Sequence, residues 1–233
     1  MNNKTWIGLY IFTLIAHVTR ITGGLAFVPF LEIISKALLM IILMSWFMDT
    51  TDDYRSPVKK WVIAALCFSW LGDVLLIFQE RYQLFFMLGL ASFLIAHIFY
   101  IIFFHQLRIK EAVKGNPWLM VIVVVYYGAL ITILSPYLGD MKWPVRVYGI
   151  VISFMFMLAM HMLFIKDKIT GRWMMMGALL FVISDSALAI NKFYKPFEQA
   201  GIVVMLIYGF AQLFIVYGAI RYINLHGERK DEE

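Results

Sequence analysis

Residues 60–76 read KWVIAALCFSWLGDVLL, a membrane-length apolar run with one carboxylate, Asp73, set well inside it. A charged side chain near mid-bilayer costs at least ~2.5 kcal/mol even on the mildest scale, so it is turned toward a cavity or a partner. The run has an echo. Shifting the chain by 112 residues brings Arg172-Trp173 onto Lys60-Trp61, Asp185 onto Asp73, Phe197 onto Phe85, Gly201 onto Gly89 and Trp118 onto Trp6. Several coincidences at one offset predict two related halves, residues 1–111 and 112–222, each with a carboxylate at the matching place.

Composition agrees with a lipid setting, because 62% hydrophobic and 17% aromatic residues exclude an ordinary soluble fold. A helical span needs roughly 20 apolar residues. The chain supplies eight such runs, at about 5–22, 29–48, 60–79, 83–107, 118–135, 144–165, 173–192 and 198–221. The expected fold is all-α, a polytopic membrane protein of eight transmembrane helices in two four-helix halves. A single transmembrane domain should fill residues 1–222, with a charged, disordered tail at 223–233. The first run is expected to be a retained helix rather than a signal peptide, since seven more spans follow it.

Charge gives orientation. With the N-terminus inside, 13 of the 20 Lys and Arg residues fall on the cytoplasmic side, so both termini are predicted cytoplasmic, in a bacterial inner membrane. The single cysteine, Cys67, excludes an internal disulfide or a cysteine-built zinc site. No polybasic block, glycine-rich phosphate loop or aromatic-basic stripe points to nucleic acid, and no metal or cofactor is expected. Nothing in the sequence sets the oligomeric state.

Along the chain, His17 and Arg20 lie near the outer end of the first run, and Gly23-Gly24 and Pro29 break it from the second. Glu32 and Lys36 in the second run are four apart and share a helix face. They read equally well as a self-neutralising buried pair or as a phosphate-holding lysine braced by the glutamate. The carboxylates of Asp49, Asp52 and Asp53 lack calcium-loop spacing and read as solvated surface. At ~1.5 Å per residue, the thirteen steps from Lys60 put Asp73 ~20 Å from the cytoplasmic edge. The same interval separates Arg172 from Asp185. Gly72 leaves room for a close approach beside the carboxylate.

His97 and Tyr100 share a face of the fourth run, and Tyr208 and Gln212 share one of the eighth. Ser184 and Ser186 bracket Asp185, while Asn191 and Lys192 lie six and seven residues outward. His105 and His161 read as interfacial, Tyr126-Tyr127 and the turn at Trp143-Pro144 as architecture and membrane anchors, and the methionine clusters as adaptable packing. Lys36, Asp73, His97, Tyr100, Asp185, Tyr208 and Gln212 fall within about one helical turn of a common depth in upright helices. No GxSxG elbow, HExxH helix or P-loop is present. Two aspartates suit acid–base hydrolysis, one carboxyl giving a proton while the other stays ionised.

The segments ALCFSWLGDVLL, GLASFLIAHIFYI, LLFVISDSALAINKF and YGFAQLFIV, in this order over most of the chain, resemble the YhhN-like lysoplasmalogenase family of eight-helix membrane proteins. The resemblance implies hydrolysis of the vinyl ether bond of a lysoplasmalogen, releasing a fatty aldehyde and a glycerophospho-alcohol. The expected partners are therefore a lysophospholipid substrate and the surrounding membrane lipid. The family's two membrane aspartates fall on Asp73 and Asp185. Its helix-2 lysine falls on Lys36, although the proline often following it is here Ala37. On that pattern His97, Tyr100, Tyr208 and Gln212 would position the ether oxygen and water, and Lys36 would receive the phosphate. Asn191 and Lys192 are further substrate-binding candidates. Two non-enzymatic readings compete: a small proton-coupled carrier built from parallel repeats, and a lipid-binding protein whose aspartates make structural hydrogen bonds.

Overall fold

The structure is a computed structural model describing residues 2–23, 30–79 and 81–230. Eight long helices carry it: α1 (Asn3–Ile21), α2 (Leu31–Thr51), α3 (Lys59–Ile77), α4 (Gln83–Lys110), α5 (Pro117–Leu134), α6 (Lys142–His161), α7 (Lys168–Ala189) and α8 (Ala200–His226). Among the described residues, seven helical segments are long and apolar enough to cross a membrane, and α1 is not one of them. Its Asn3, Lys4, Thr13, His17, Thr19 and Arg20 dilute the apolar run that the sequence suggested as the first span. The others hold long apolar stretches with few charges, and a helix satisfies its backbone by its own hydrogen bonds, as hydrocarbon requires.

Helix starts follow local chemistry. Asn2, Asn116 and Asp167 cap α1, α5 and α7, each accepting from a backbone N–H two residues on. Pro117 then occupies the first turn of α5, where a missing N–H costs nothing. Pro144 does the same in α6, so Trp143-Pro144 belongs to the helix rather than to a turn before it. α1 ends at Ile21 with Gly23 at φ 82°; Gly24 and Pro29 lie outside the described residues.

The chain packs as two units, Met1–Phe99 with Val216–Glu233, and Tyr100–Ile215. In the first, Trp46 Nε1 donates to Asn3 Oδ1 at 3.0 Å and Trp6 Nε1 to Asp49 Oδ2 at 2.9 Å, joining α1 to α2. Ser92 on α4 donates to the Phe68 carbonyl of α3 at 2.6 Å, and the Phe99 ring lies 5.9 Å from Trp61 and 5.6 Å from Phe68. The tail departs from its expected disorder. β2 (Glu228–Arg229) pairs antiparallel with β1 (Tyr54–Arg55), Lys230 N donates to the Asp53 carbonyl, and Lys230 Nζ donates to Asp52 Oδ1 at 2.9 Å. Opposite charge and free backbone groups on a loop edge supply what the tail's few apolar residues could not.

In the second unit α7 and α8 run antiparallel. Gly177 lies so close to α8 that a Cβ there would stand 2.7 Å from the Ala211 carbonyl oxygen. Next along, Phe181 meets Tyr208 edge-on at 5.4 Å, and Ser184 donates to the Val204 carbonyl at 3.0 Å. α5 is the least covered helix: Trp118 is 72% and Val125 65% exposed. Such a face suits lipid.

Candidate active site

In the first unit, Asp73 sits on α3 at only 2% exposure. Gly72 and Gly89 bring α3 and α4 together beside it. A Cβ on Gly72 would lie 2.7 Å from the Phe93 ring, and one on Gly89 would lie 2.8 Å from Leu76. Thus the space beside Asp73 that a missing side chain creates is taken by Phe93. His97, one turn further along α4, is fully buried. On α2, Glu32 is exposed and Lys36 half-buried, so the two do not form a buried pair. Ser35, next to Lys36, donates to the Leu31 carbonyl at 2.5 Å, and its Oγ is 2.8 Å from His17 Nδ1. With the hydroxyl hydrogen committed, His17 carries its proton on Nδ1 and donates it. His17 is thereby a helix-to-helix strut.

In the second unit, Asp185 on α7 faces two tyrosines that the sequence did not single out as site residues. Tyr148 of α6 donates its hydroxyl to Asp185 Oδ2. Tyr126 of α5 is 2.6 Å from Ser186 Oγ, and Ser186 donates to the Val182 carbonyl at 2.5 Å. Ser186 has one hydrogen, so Tyr126 is the donor to it. Two hydroxyl donors thus converge on the Asp185-Ser186 step. Tyr126 thus meets α7 at Ser186, beyond the membrane-anchor reading that the sequence suggested for it. A cleft of ≈ 40 Å³ between α5, α6 and α7 opens onto this group, lined by Tyr126, Tyr127, Tyr148, Asp185 and Ser186 and otherwise by apolar side chains and Gly149.

Three expected residues of the same unit are brought together. Tyr100 Oη donates to Gln212 Oε1 at 2.6 Å, and Gln212 Nε2 donates to Tyr208 Oη at 3.4 Å. All three are buried, so each hydrogen bond replaces one to water that burial forbids. The Tyr100 and Gln212 positions are 112 residues apart, the offset of the sequence repeat.

Other expected residues have different work. Asn191 lies in a π-helical turn, Ile190–Tyr194, and its Oδ1 accepts from the Phe197 N–H at 3.1 Å, holding the turn onto the loop before α8. Lys192 is exposed. His161 is 2% exposed rather than interfacial: Nδ1 donates to the Met157 carbonyl at 2.8 Å, and Nε2 accepts from the Asn116 N–H at 3.1 Å. It ties the end of α6 to the start of α5. Among the described residues, no three His, Cys, Asp or Glu side chains gather to hold a metal.

The missed Tyr148 leaves a weak trace in sequence. It falls 112 residues after Lys36, so the repeat alone pairs it with a residue that had been singled out.

Comparison with known proteins follows the same lines. The YhhN family model matches residues 31–219. Human lysoplasmalogenase TMEM86B is 29% identical over 177 residues, 76% of this chain and 69% of its own length. Human lysoplasmalogenase TMEM86A is 31% identical over 168 residues, 70% and 67% of the two chains. A lysoplasmalogenase of Mycobacterium tuberculosis is 28% identical over 163 residues, 69% and 60%. No solved structure matches the chain significantly.

Proposed function

Since the chain belongs to the YhhN family, we propose that it is an integral membrane lysoplasmalogenase that cleaves its substrate's vinyl ether bond with Asp73 and Asp185. The family carries the activity. The observation that carries the mechanism is Asp185 in an apolar cleft, accepting a hydrogen bond from Tyr148.

Vinyl ether hydrolysis needs a proton on the outer vinyl carbon and a water on the inner one. Asp73, as carboxylic acid, gives its proton to the outer carbon; a C–H bond forms and the positive charge passes to the oxocarbenium group. Asp185, the acceptor of the Tyr148 bond, faces that charge as carboxylate and stabilises it electrostatically. It then takes a proton from water as the water oxygen bonds to the cationic carbon. The hemiacetal breaks its C–O bond, its hydroxyl proton leaving as the ether oxygen gains one. Fatty aldehyde and glycerophospho-alcohol depart, and loss of a proton from Asp185 to water with uptake of one by Asp73 from water resets both carboxyls. One water is consumed and no oxidant or metal is needed.

In this reading the Tyr100–Gln212–Tyr208 chain and His97 orient the ether oxygen and water, and Lys36 takes the phosphate. Lys192 and Asn191 would act at the outer end, Asn191 through the turn it holds. The halves 1–111 and 112–222 are two copies of one four-helix unit whose matching aspartates have taken opposite roles. Both termini lie in the cytoplasm, the membrane being the bacterial inner one. The experiment is aldehyde release from synthetic lysoplasmalogen by the purified protein in nanodiscs, set beside proton-driven uptake in liposomes. Asp73→Asn and Asp185→Asn should each lower turnover by at least about 10³-fold, the scale of losing one acid–base partner, without loss of the folded monodisperse state. Near-normal release by either variant would remove the pair.

A further inference from the structure

The cleft between α5, α6 and α7 holds a feature that the catalytic groups do not explain. Its walls are hydrocarbon, from Leu130, Ile131 and Leu134 on one side and Val145 and Ile152 on the other, and its polar groups are Tyr126 and Tyr127 on α5, Tyr148 on α6 and the Asp185-Ser186 step on α7. At Gly149 α6 offers no side chain and the Tyr127 ring packs against its backbone, so that a Cβ there would stand 2.8 Å from the ring and push it toward the cleft. One wall is α5, whose remaining surface is the most exposed apolar face of the unit.

Water is a poor occupant of the hydrocarbon part, since a buried water needs two to four polar partners. A charged headgroup would be stripped of hydration without compensation. An alkyl or alkenyl chain arriving from lipid gains by burial and meets the carboxylate only at its end. We propose that this cleft receives the first carbons of the substrate's alkenyl chain, so that the vinyl ether comes to rest against Asp185. This deepens the lysoplasmalogenase reading and rests on it.

Size sets what the cleft reads. On the measure by which one water-sized group needs roughly 10–15 Å³, a volume of ≈ 40 Å³ holds about three carbons. The enzyme should therefore ignore total chain length and discriminate strongly against a methyl branch on the carbon next to the double bond.

The test uses the full-length protein in nanodiscs with synthetic lysoplasmalogens, straight or branched at that carbon, and a saturated 1-alkyl lysolipid as inhibitor. Gly149→Val narrows the cleft. It should raise KM for the straight substrate and weaken inhibition by the alkyl lysolipid, each by about tenfold, the scale of one misfitted methyl(ene) group in a pocket. Ile152→Ala widens the cleft and should shift the kcat/KM ratio toward the branched substrate by about tenfold. It keeps the test open if the valine variant does not fold. Turnover with an unchanged branched-to-straight ratio in Ile152→Ala would overturn the cleft assignment and leave the activity standing. If diacyl phospholipid inhibits as well as the alkyl lysolipid, the cleft is a general lipid slot and the assignment also falls. No aldehyde from any lysoplasmalogen with the unsubstituted protein would overturn the activity and the cleft together.

Discussion

Tyr148→Phe removes one oxygen atom and leaves the ring in place against α7, so it isolates the hydrogen bond to Asp185. A hydrogen bond to a charged group contributes about 1.5–3 kcal/mol. Each 1.36 kcal/mol of transition-state stabilisation is tenfold in rate, so kcat should fall by roughly 10- to 150-fold. The ring still walls the cleft, and KM should therefore stay within about twofold, because binding energy common to ground and transition states is untouched. The assay is steady-state aldehyde release across substrate concentration, with a thermal melt on the same sample. Wild-type kcat in Tyr148→Phe would refute the view that Tyr148 holds Asp185 for the reaction. A large rise in KM with kcat unchanged would make Tyr148 a binding residue instead.

Gly72→Ala puts a methyl 2.7 Å from the Phe93 ring and should cost about 1–3 kcal/mol of stability through overpacking; an unchanged thermal midpoint would contradict the close contact. Lys36→Met should raise KM for lysoplasmalogen with little change in kcat, because a phosphate held away from the reacting carbons contributes equally before and in the transition state. The terminal clasp should be pH-sensitive. The Lys230 hydrogen bond and charge hold the exposed Asp52 carboxyl below its ordinary 3.8. Stability from this contact is therefore present above that value and lost as pH falls through the lowered one. Hydrogen exchange at the Lys230 amide, bonded to the Asp53 carbonyl, should accelerate on acidification, and Lys230→Ala should remove that pH step.

The class of fold was legible because hydrocarbon is an unforgiving solvent: long apolar runs leave the backbone only the helix. Asp73 and Asp185 stood out for the same reason, as did Tyr100, Tyr208 and Gln212, whose spacing along two runs fits the network they form. The Tyr148 contact was hidden because tyrosine is ordinary in membrane helices, and only the rotation of α6 toward α7 tells a ring that meets Asp185 from an interfacial one. The bond from Tyr126 to Ser186 escaped notice for the same reason. The sequence could not show that Asn191 also serves the backbone, its Oδ1 accepting from the Phe197 N–H. The ordered tail escaped notice because β1 and β2 are two residues each, too short for any alternating pattern, and their partners lie far apart in sequence, Tyr54 opposite Arg229. α1 forms where the first run was expected, and its hydroxyls, His17 and Arg20 set it apart from the seven more apolar segments.

The chain from Tyr100 through Gln212 to Tyr208 has a direction. With the Gln212 oxygen committed to Tyr100 and its nitrogen to Tyr208, the amide behaves as a one-way coupling whose sense a flip would invert. A glutamate there would present acceptors at both ends, and Tyr208 would have to turn its own hydrogen back toward position 212. One carboxamide orientation thus determines which way the last hydroxyl of the row can offer its proton.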